Sequence, residues 1–196
     1  MAWNLPNILT WLRIIAVPLV VTLFYLPHKW ADPFAAILFA VASVTDSLDG
    51  YLARRMGLTS RLGAFLDPVA DKLIVAVALV LLVSKDHQWI VVLSACVIIG
   101  REIAISALRE WMAEQGERTR VAVSSLGKLK TILQMVGLSC MLYRLPLLGL
   151  DVYTIGLFLT VAAALLTLWS ALLYLKAAWP VLSAADSGGS DRTGAA

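Results

Sequence analysis

Six apolar stretches follow one another along this chain, each close to the length that crosses a lipid bilayer, with short polar segments between them. They run approximately Thr10–Leu26, Phe34–Arg54, Ser60–Ser84, Trp89–Met112, Ser124–Leu142 and Val152–Ala178. About 20 mostly apolar residues span a membrane as a helix. Backbone polar groups in hydrocarbon must be bonded internally, so the pattern predicts an all-α integral membrane protein with six transmembrane helices. With 60% hydrophobic and only 15% charged residues, an ordinary water-soluble domain is a poor description. The opening MAWNLPNIL reads as a short interfacial helix, with Trp3 and Leu5 set beside Asn4, Pro6 and Asn7. No small-residue cleavage site follows, so the first run is expected to stay as a span rather than act as a signal peptide. Pro180 is expected to end the sixth span, which gives one membrane domain over 1–180 and a disordered polar tail over 181–196.

One stretch breaks the apolar pattern. Thr45 to Lys72 reads TDSLDGYLARRMGLTSRLGAFLDPVADK and holds four acids, Asp46, Asp49, Asp67 and Asp71. Asp46 and Asp49 are spaced i, i+3 at the end of the second run, and Asp67 and Asp71 i, i+4 at the start of the third, so each pair shares a helix face. A polar turn around Met56 to Arg61, with Thr59 or Ser60 capping the third helix, reverses the chain and brings the two faces to one depth. Four carboxylates gathered in a low-dielectric place repel or become protonated unless cations lie among them. The arrangement therefore predicts metal. With oxygen donors alone and no His or Cys nearby, the ions expected are hard ones, Mg²⁺ or Mn²⁺. The plainer alternative is two acidic helix ends at a membrane surface.

Gly50 and Ala53 fall four and seven residues after Asp46 on the same face and leave room for a close neighbour. Arg54 lies near that face, where its forked donors suit a diphosphate. The complete spacing is D-x2-D-G-x2-A-R-x8-G-x3-D-x3-D, filled by Asp46, Asp49, Gly50, Ala53, Arg54, Gly63, Asp67 and Asp71. At every position this resembles the signature of the CDP-alcohol phosphotransferases, membrane enzymes that move a phosphoalcohol unit from a CDP-activated donor to an acceptor alcohol. The resemblance implies two metal ions held by Asp46, Asp49, Asp67 and Asp71, with Asp71 the general base as well. It also implies a CDP site formed by Asp49, Gly50, Ala53, Arg54 and Gly63, and a homodimer.

A second polar cluster lies further along. Arg101 and Arg109 are eight residues apart, about 80° around a helix axis, and Lys128 and Lys130 open the following helix. Cations converging beside a metal site suit an acceptor that carries a phosphate; helix pairs such as Arg109 with Glu102 or Glu110 are the competing account. Arg118 and Arg120 sit in the intervening loop, where solvation explains them equally well. At the front of the chain Asn7, Thr10 and Arg13 fall at i, i+3, i+6, a face that points either at the acids or, with a snorkelling arginine, at the interface. The wording LPNILTWLRI, GREIAISALREWMAEQG and LGKLKT resembles the phosphatidylglycerophosphate synthase branch of the same family, over about Leu5 to Met135. That resemblance implies CDP-diacylglycerol as donor and sn-glycerol 3-phosphate as acceptor, with Arg101, Arg109 and Lys128 on the acceptor phosphate. It also turns Asn7, Thr10 and Arg13 toward the site.

Of sixteen Lys and Arg, only Lys29, Lys85 and Arg144 fall in the loops on one side, and the other thirteen lie at or near the opposite side. The positive-inside rule places the richer side, and with it the acidic stretch, in the cytoplasm of a cell inner-membrane protein. A net charge of +3 suits contact with anionic lipids and argues against nucleic acid as a partner. Cys96 and Cys140 lie within apolar runs and read as small core residues, while His28 and His87 are loop residues without ligand-spaced companions. Rival readings are an acceptor other than glycerol 3-phosphate, namely phosphatidylglycerol, serine or inositol phosphate, and, from another class, a cation transporter. The transporter expects acids near the bilayer midplane and inverted repeats; here the acids cluster at one edge and no repeat is evident.

Overall fold

The computed structural model describes residues 5–56, 61–114, 125–147 and 149–189, with side chains over 9–45, 66–114, 129–147 and 149–183. Six helices account for nearly all of it: α1 Leu5–Tyr25, α2 Ala31–Met56, α3 Arg61–Lys85, α4 Trp89–Glu114, α5 Ser125–Tyr143 and α6 Val152–Gly189. Two of them, α4 and the described part of α6, are long and apolar enough to cross a membrane by length and composition, and α1, α2 and α5 contain shorter apolar segments.

Two expectations about the ends of the bundle are corrected. Leu5 to Leu9 form the first turns of α1 itself, so no separate interfacial helix precedes it among the described residues. Pro6 sits in the first turn, where its missing N–H costs no helical hydrogen bond. At the other end α6 continues through Pro180 to Gly189, so half of the segment expected to lack structure is helical. A proline inside a helix removes a single backbone bond, here the one to the Lys176 carbonyl; separately, the Ser183 hydroxyl donates to the Pro180 carbonyl at 3.1 Å.

The helices pack as two linked groups. α1 lies against α2 and α3, α6 against α5 and α4, and contacts of α2 with α5 and of α3 with α4 join the groups. The shared core is assembled from Val20, Phe24, Phe39, Leu79, Leu82, Ile98, Leu138, Met141 and Leu142, all buried. Large apolar side chains also cover the outside, including Leu12, Ile37, Val80, Ile103, Phe158, Leu165 and Leu172, each more than half exposed. An apolar exterior on this scale is the surface of a protein solvated by lipid.

α5 and α6 approach most closely at Gly137 and Gly156. A methyl group on Gly156 would lie 2.7 Å from the Gly137 carbonyl oxygen and 2.8 Å from the Met141 nitrogen, and one on Gly137 would lie 2.9 Å from the Thr160 nitrogen. Only hydrogen fits there. Cys140 packs at the same crossing, and both cysteines are free thiols; Cys96 is exposed on α4 rather than a core residue.

At the loop end of the bundle the connections are held by side chains. Lys85 pairs with Asp32 at 2.9 Å and lies 4.2 Å from the centre of the Phe24 ring. The Tyr153 hydroxyl donates to Asp86, and the Arg144 guanidinium stacks against both Phe24 and Tyr153. Arg144 ends α5 in a left-handed conformation, φ 56°, and Gly149, φ 79°, lets the chain turn between Leu147 and Leu150. Asp151 then caps α6, accepting from the Thr154 hydroxyl at 2.5 Å and the Thr154 N–H at 3.3 Å. These bonds from Thr154 hold the Asp151 carboxyl below its ordinary pKa.

Candidate active site

The second acid pair sits in the first turns of α3, on either side of Pro68, and α1 supplies its partners. The Thr10 hydroxyl donates to Asp67 Oδ1. The Arg13 guanidinium donates to Asp71 Oδ1 at 2.7 Å, with Arg13 almost wholly buried and Asp71 about one-third exposed. Thr10 and Arg13 are three residues apart on α1 and meet acids four apart on α3, so one helix face reads the other. Of the two orientations open to this part of α1, Thr10 and Arg13 take the one that faces Asp67 and Asp71. The side chain of Asn7 lies outside the described residues.

A cavity of about 460 Å³ opens beside Asp71 between α3, α4 and α5. Asp71, Lys72, Glu102, Ser106, Lys130, Thr131 and Gln134 supply its polar lining, and Val75, Ile98, Ile103 and Met135 are among its apolar walls. Lys130 is buried and donates to Glu102 Oε1 at 3.0 Å, and Arg101 donates to the same oxygen at 3.0 Å. Lys72 reaches across to the Ser106 hydroxyl at 2.5 Å. Glu102 is thus the joint of the cluster, flanked by two cations, whereas its spacing in the sequence suggests only a partner for Arg109. Its position one residue after Arg101 and on the face toward α5 was the available signal.

Arg101 and Arg109 share a neighbour rather than the cavity. Arg109 donates to the Tyr174 hydroxyl at 2.9 Å, and both guanidinium groups lie over the Tyr174 ring, 5.0 and 5.8 Å from its centre. Arg101 also donates to Ser170 at 3.0 Å, so its fork joins α6 to the Glu102 cluster. The cation that lines the cavity next to Asp71 is Lys130, with Lys72 beside it. The side chain of Lys128 lies outside the described residues, as does all of Arg118.

The first acid pair is carried by the last turns of α2, and α2 contacts α3. The side chains of Asp46, Asp49, Gly50, Ala53, Arg54 and Gly63 lie outside the described residues, as do Thr59 and Ser60 entirely. Among the described residues no three acidic, His or Cys side chains come together as a metal site. Of the four acids in that stretch, the described side chains are those of Asp67 and Asp71, whose carboxylate oxygens are donors of the kind a hard divalent ion takes.

Comparison with known sequences settles the family. The sequence model of the CDP-alcohol phosphatidyltransferase family matches residues 3–178. The chain belongs to that family. Among individual CDP-alcohol phosphatidyltransferases, a Salmonella choleraesuis protein named CDP-diacylglycerol--glycerol-3-phosphate 3-phosphatidyltransferase is 52% identical over 178 residues, covering 91% of this chain and 96% of the relative. Proteins of the same name from Shigella flexneri and Escherichia coli K12 are each 53% identical over the same share of both chains. The match includes the whole acidic stretch, α1 and the charged part of α4, so in this phosphatidyltransferase the Thr10–Asp67 and Arg13–Asp71 contacts lie inside the family's own region. As a member of a membrane-bound family, with two helices able to cross a bilayer, this is a membrane protein.

Proposed function

We propose that this protein transfers the phosphatidyl group of CDP-diacylglycerol to sn-glycerol 3-phosphate, giving phosphatidylglycerophosphate and CMP as a step of phospholipid biosynthesis. The observation that carries the reading is the identity of more than half of the residues, over nearly the full length of both chains, with relatives named for that reaction. The cavity accords with it: a carboxylate, Asp71, and a buried ammonium, Lys130, line one chamber, so a phosphate-bearing alcohol has a cation for its phosphate and an acid near its hydroxyl.

In this reading the acceptor hydroxyl oxygen attacks the phosphorus that carries the diacylglycerol. The bond from that phosphorus to CMP breaks, and the hydroxyl proton passes to Asp71. Arg13 and Thr10 fix the positions of Asp71 and Asp67. Asp46, Asp49, Asp67 and Asp71 would hold two Mg²⁺ or Mn²⁺ ions, which when bound neutralise charge on the diphosphate. Asp49, Gly50, Ala53, Arg54 and Gly63 are proposed around the CDP. Lys130, with Arg101, Arg109 and Lys128 behind it, is proposed to draw in the acceptor phosphate. The six helices are proposed as six spans of the inner membrane, with the acid-bearing end in the cytoplasm and two copies per assembly.

The test is CMP release from CDP-diacylglycerol in mixed micelles, with and without glycerol 3-phosphate and with Mg²⁺, Mn²⁺ or chelator. Release that needs both the acceptor and a divalent ion is expected. Release with serine or inositol phosphate but not with glycerol 3-phosphate overturns the acceptor, and undiminished release in chelator overturns the metal.

A further inference from the structure

The polar groups of the cavity are paired with one another except at one place. Asp71 is held by Arg13, Lys72 by Ser106, and Lys130 by Glu102. Gln134 also lines the chamber, is only 4% exposed, and its side-chain carbonyl oxygen has no hydrogen-bond partner among the described residues. A buried amide oxygen without a donor is costly, and a site that keeps one is suited to a ligand that brings the donor.

Position narrows what that ligand group is. Gln134 lies one helical turn beyond Lys130 on α5, about 6 Å along the axis, and on the same face. An uncharged amide offers an acceptor and donors together, the complement of a hydroxyl rather than of a phosphate. The acyl part of a diacylglycerol lipid has ester oxygens and no donor. The cavity is walled by α3, α4 and α5, and Gln134 shares it with Lys130, the cation proposed for the acceptor phosphate. That neighbourhood points to the acceptor alcohol, whose hydroxyls bring donors, as the partner of Gln134.

We propose that Gln134 is a specificity-determining residue whose side-chain amide hydrogen-bonds the secondary hydroxyl of the acceptor, the one that does not attack phosphorus, while Lys130 holds its phosphate. The inference rests on the proposed reaction and adds to it a reader for the middle carbon of the acceptor. It predicts that a two-carbon or deoxy phosphate ester is used poorly even though it presents the same phosphate and a primary hydroxyl.

The experiment compares glycerol 3-phosphate with 3-hydroxypropyl phosphate, which lacks only the secondary hydroxyl, by CMP release from the full-length protein in mixed micelles. Wild type is expected to favour glycerol 3-phosphate by roughly ten-fold or more in kcat/KM. Gln134→Leu and Gln134→Met are expected to lose most of that preference by falling on glycerol 3-phosphate while changing less than about three-fold on the deoxy acceptor. Equal loss on both acceptors, or an unchanged preference in both variants, overturns the role of Gln134. Failure of wild type to release CMP with glycerol 3-phosphate overturns the underlying reaction instead, and the inference with it. The deoxy acceptor separates a specificity effect from a folding defect, because a damaged protein loses both substrates together.

Discussion

The two ends of the helix bundle are both rich in charge, yet they use it in opposite ways. At the loop end Lys85, Asp32, Asp86, Tyr153 and Arg144 close on one another and on the Phe24 ring, tying successive helices together. At the acid-bearing end Asp71, Lys72, Glu102 and Lys130 are also paired, but around a chamber of about 460 Å³. The first arrangement is a fastening and the second a lining. The difference teaches that ion pairs alone do not make a binding site; those at the acid-bearing end also leave a space that a ligand could enter.

Substitutions at the two ends should therefore separate cleanly. The largest effect is expected for Asp71→Asn, which keeps the shape and removes the base: CMP release should fall by roughly a thousand-fold with little change in thermal unfolding. Near-wild-type turnover in that variant would remove Asp71 from the chemistry and reduce the acid-bearing end to a second fastening. Arg13→Met comes next. The Asp71 carboxylate loses the donor that fixes it at 2.7 Å, and kcat should fall by roughly a hundred-fold, with KM for the acceptor moving far less. A pure KM effect would mean that Arg13 touches substrate rather than positioning Asp71.

Between the two ends, Gly156→Ala presses a methyl group onto the backbone of α5 at 2.7 and 2.8 Å. A loss of about 1–3 kcal/mol in reversible unfolding in detergent is expected, and activity should follow stability. At the loop end Asp32→Asn should cost no more than about 1 kcal/mol and leave kcat unchanged, since Lys85 keeps its place over Phe24. A large loss of turnover there would erase the distinction between the ends. The smallest effect is a pH dependence. Because the Thr154 bonds depress the Asp151 carboxyl, the stability that this cap supplies is fully present above the ordinary carboxylate pKa and is lost as pH falls through the depressed one. Asp151→Asn should flatten that acid limb of the unfolding curve, and an unaltered limb would show that another carboxyl governs it.

The helices were legible because each apolar run is bounded by residues that must stay polar, and α3 to α5 begin and end within about two residues of expectation. What misled lay at the ends. Pro180 suggests a boundary from sequence, but an exposed late proline loses a single bond and the helix runs on. Within the site, helical spacing correctly put Asp67 and Asp71 on one face and Thr10 and Arg13 on another, and it could not say that those faces meet; that depends on α1 packing against α3. The same limit applied to α4. Periodicity placed Arg101 and Arg109 near one another, but only the packing of α6 shows Tyr174 taking both, and only the packing of α5 shows Lys130 and Glu102 at the cavity. Gln134 was invisible as a candidate because one glutamine in an apolar helix carries no pattern.

The tether from α1 to α3 has a practical consequence for anyone handling this protein. The opening helix carries the partners of both aspartates, so a truncation that reaches α1 is expected to release Asp67 and Asp71 together. Tags belong at the opposite terminus, where α6 runs on past Pro180 well beyond the last contact that the chamber uses.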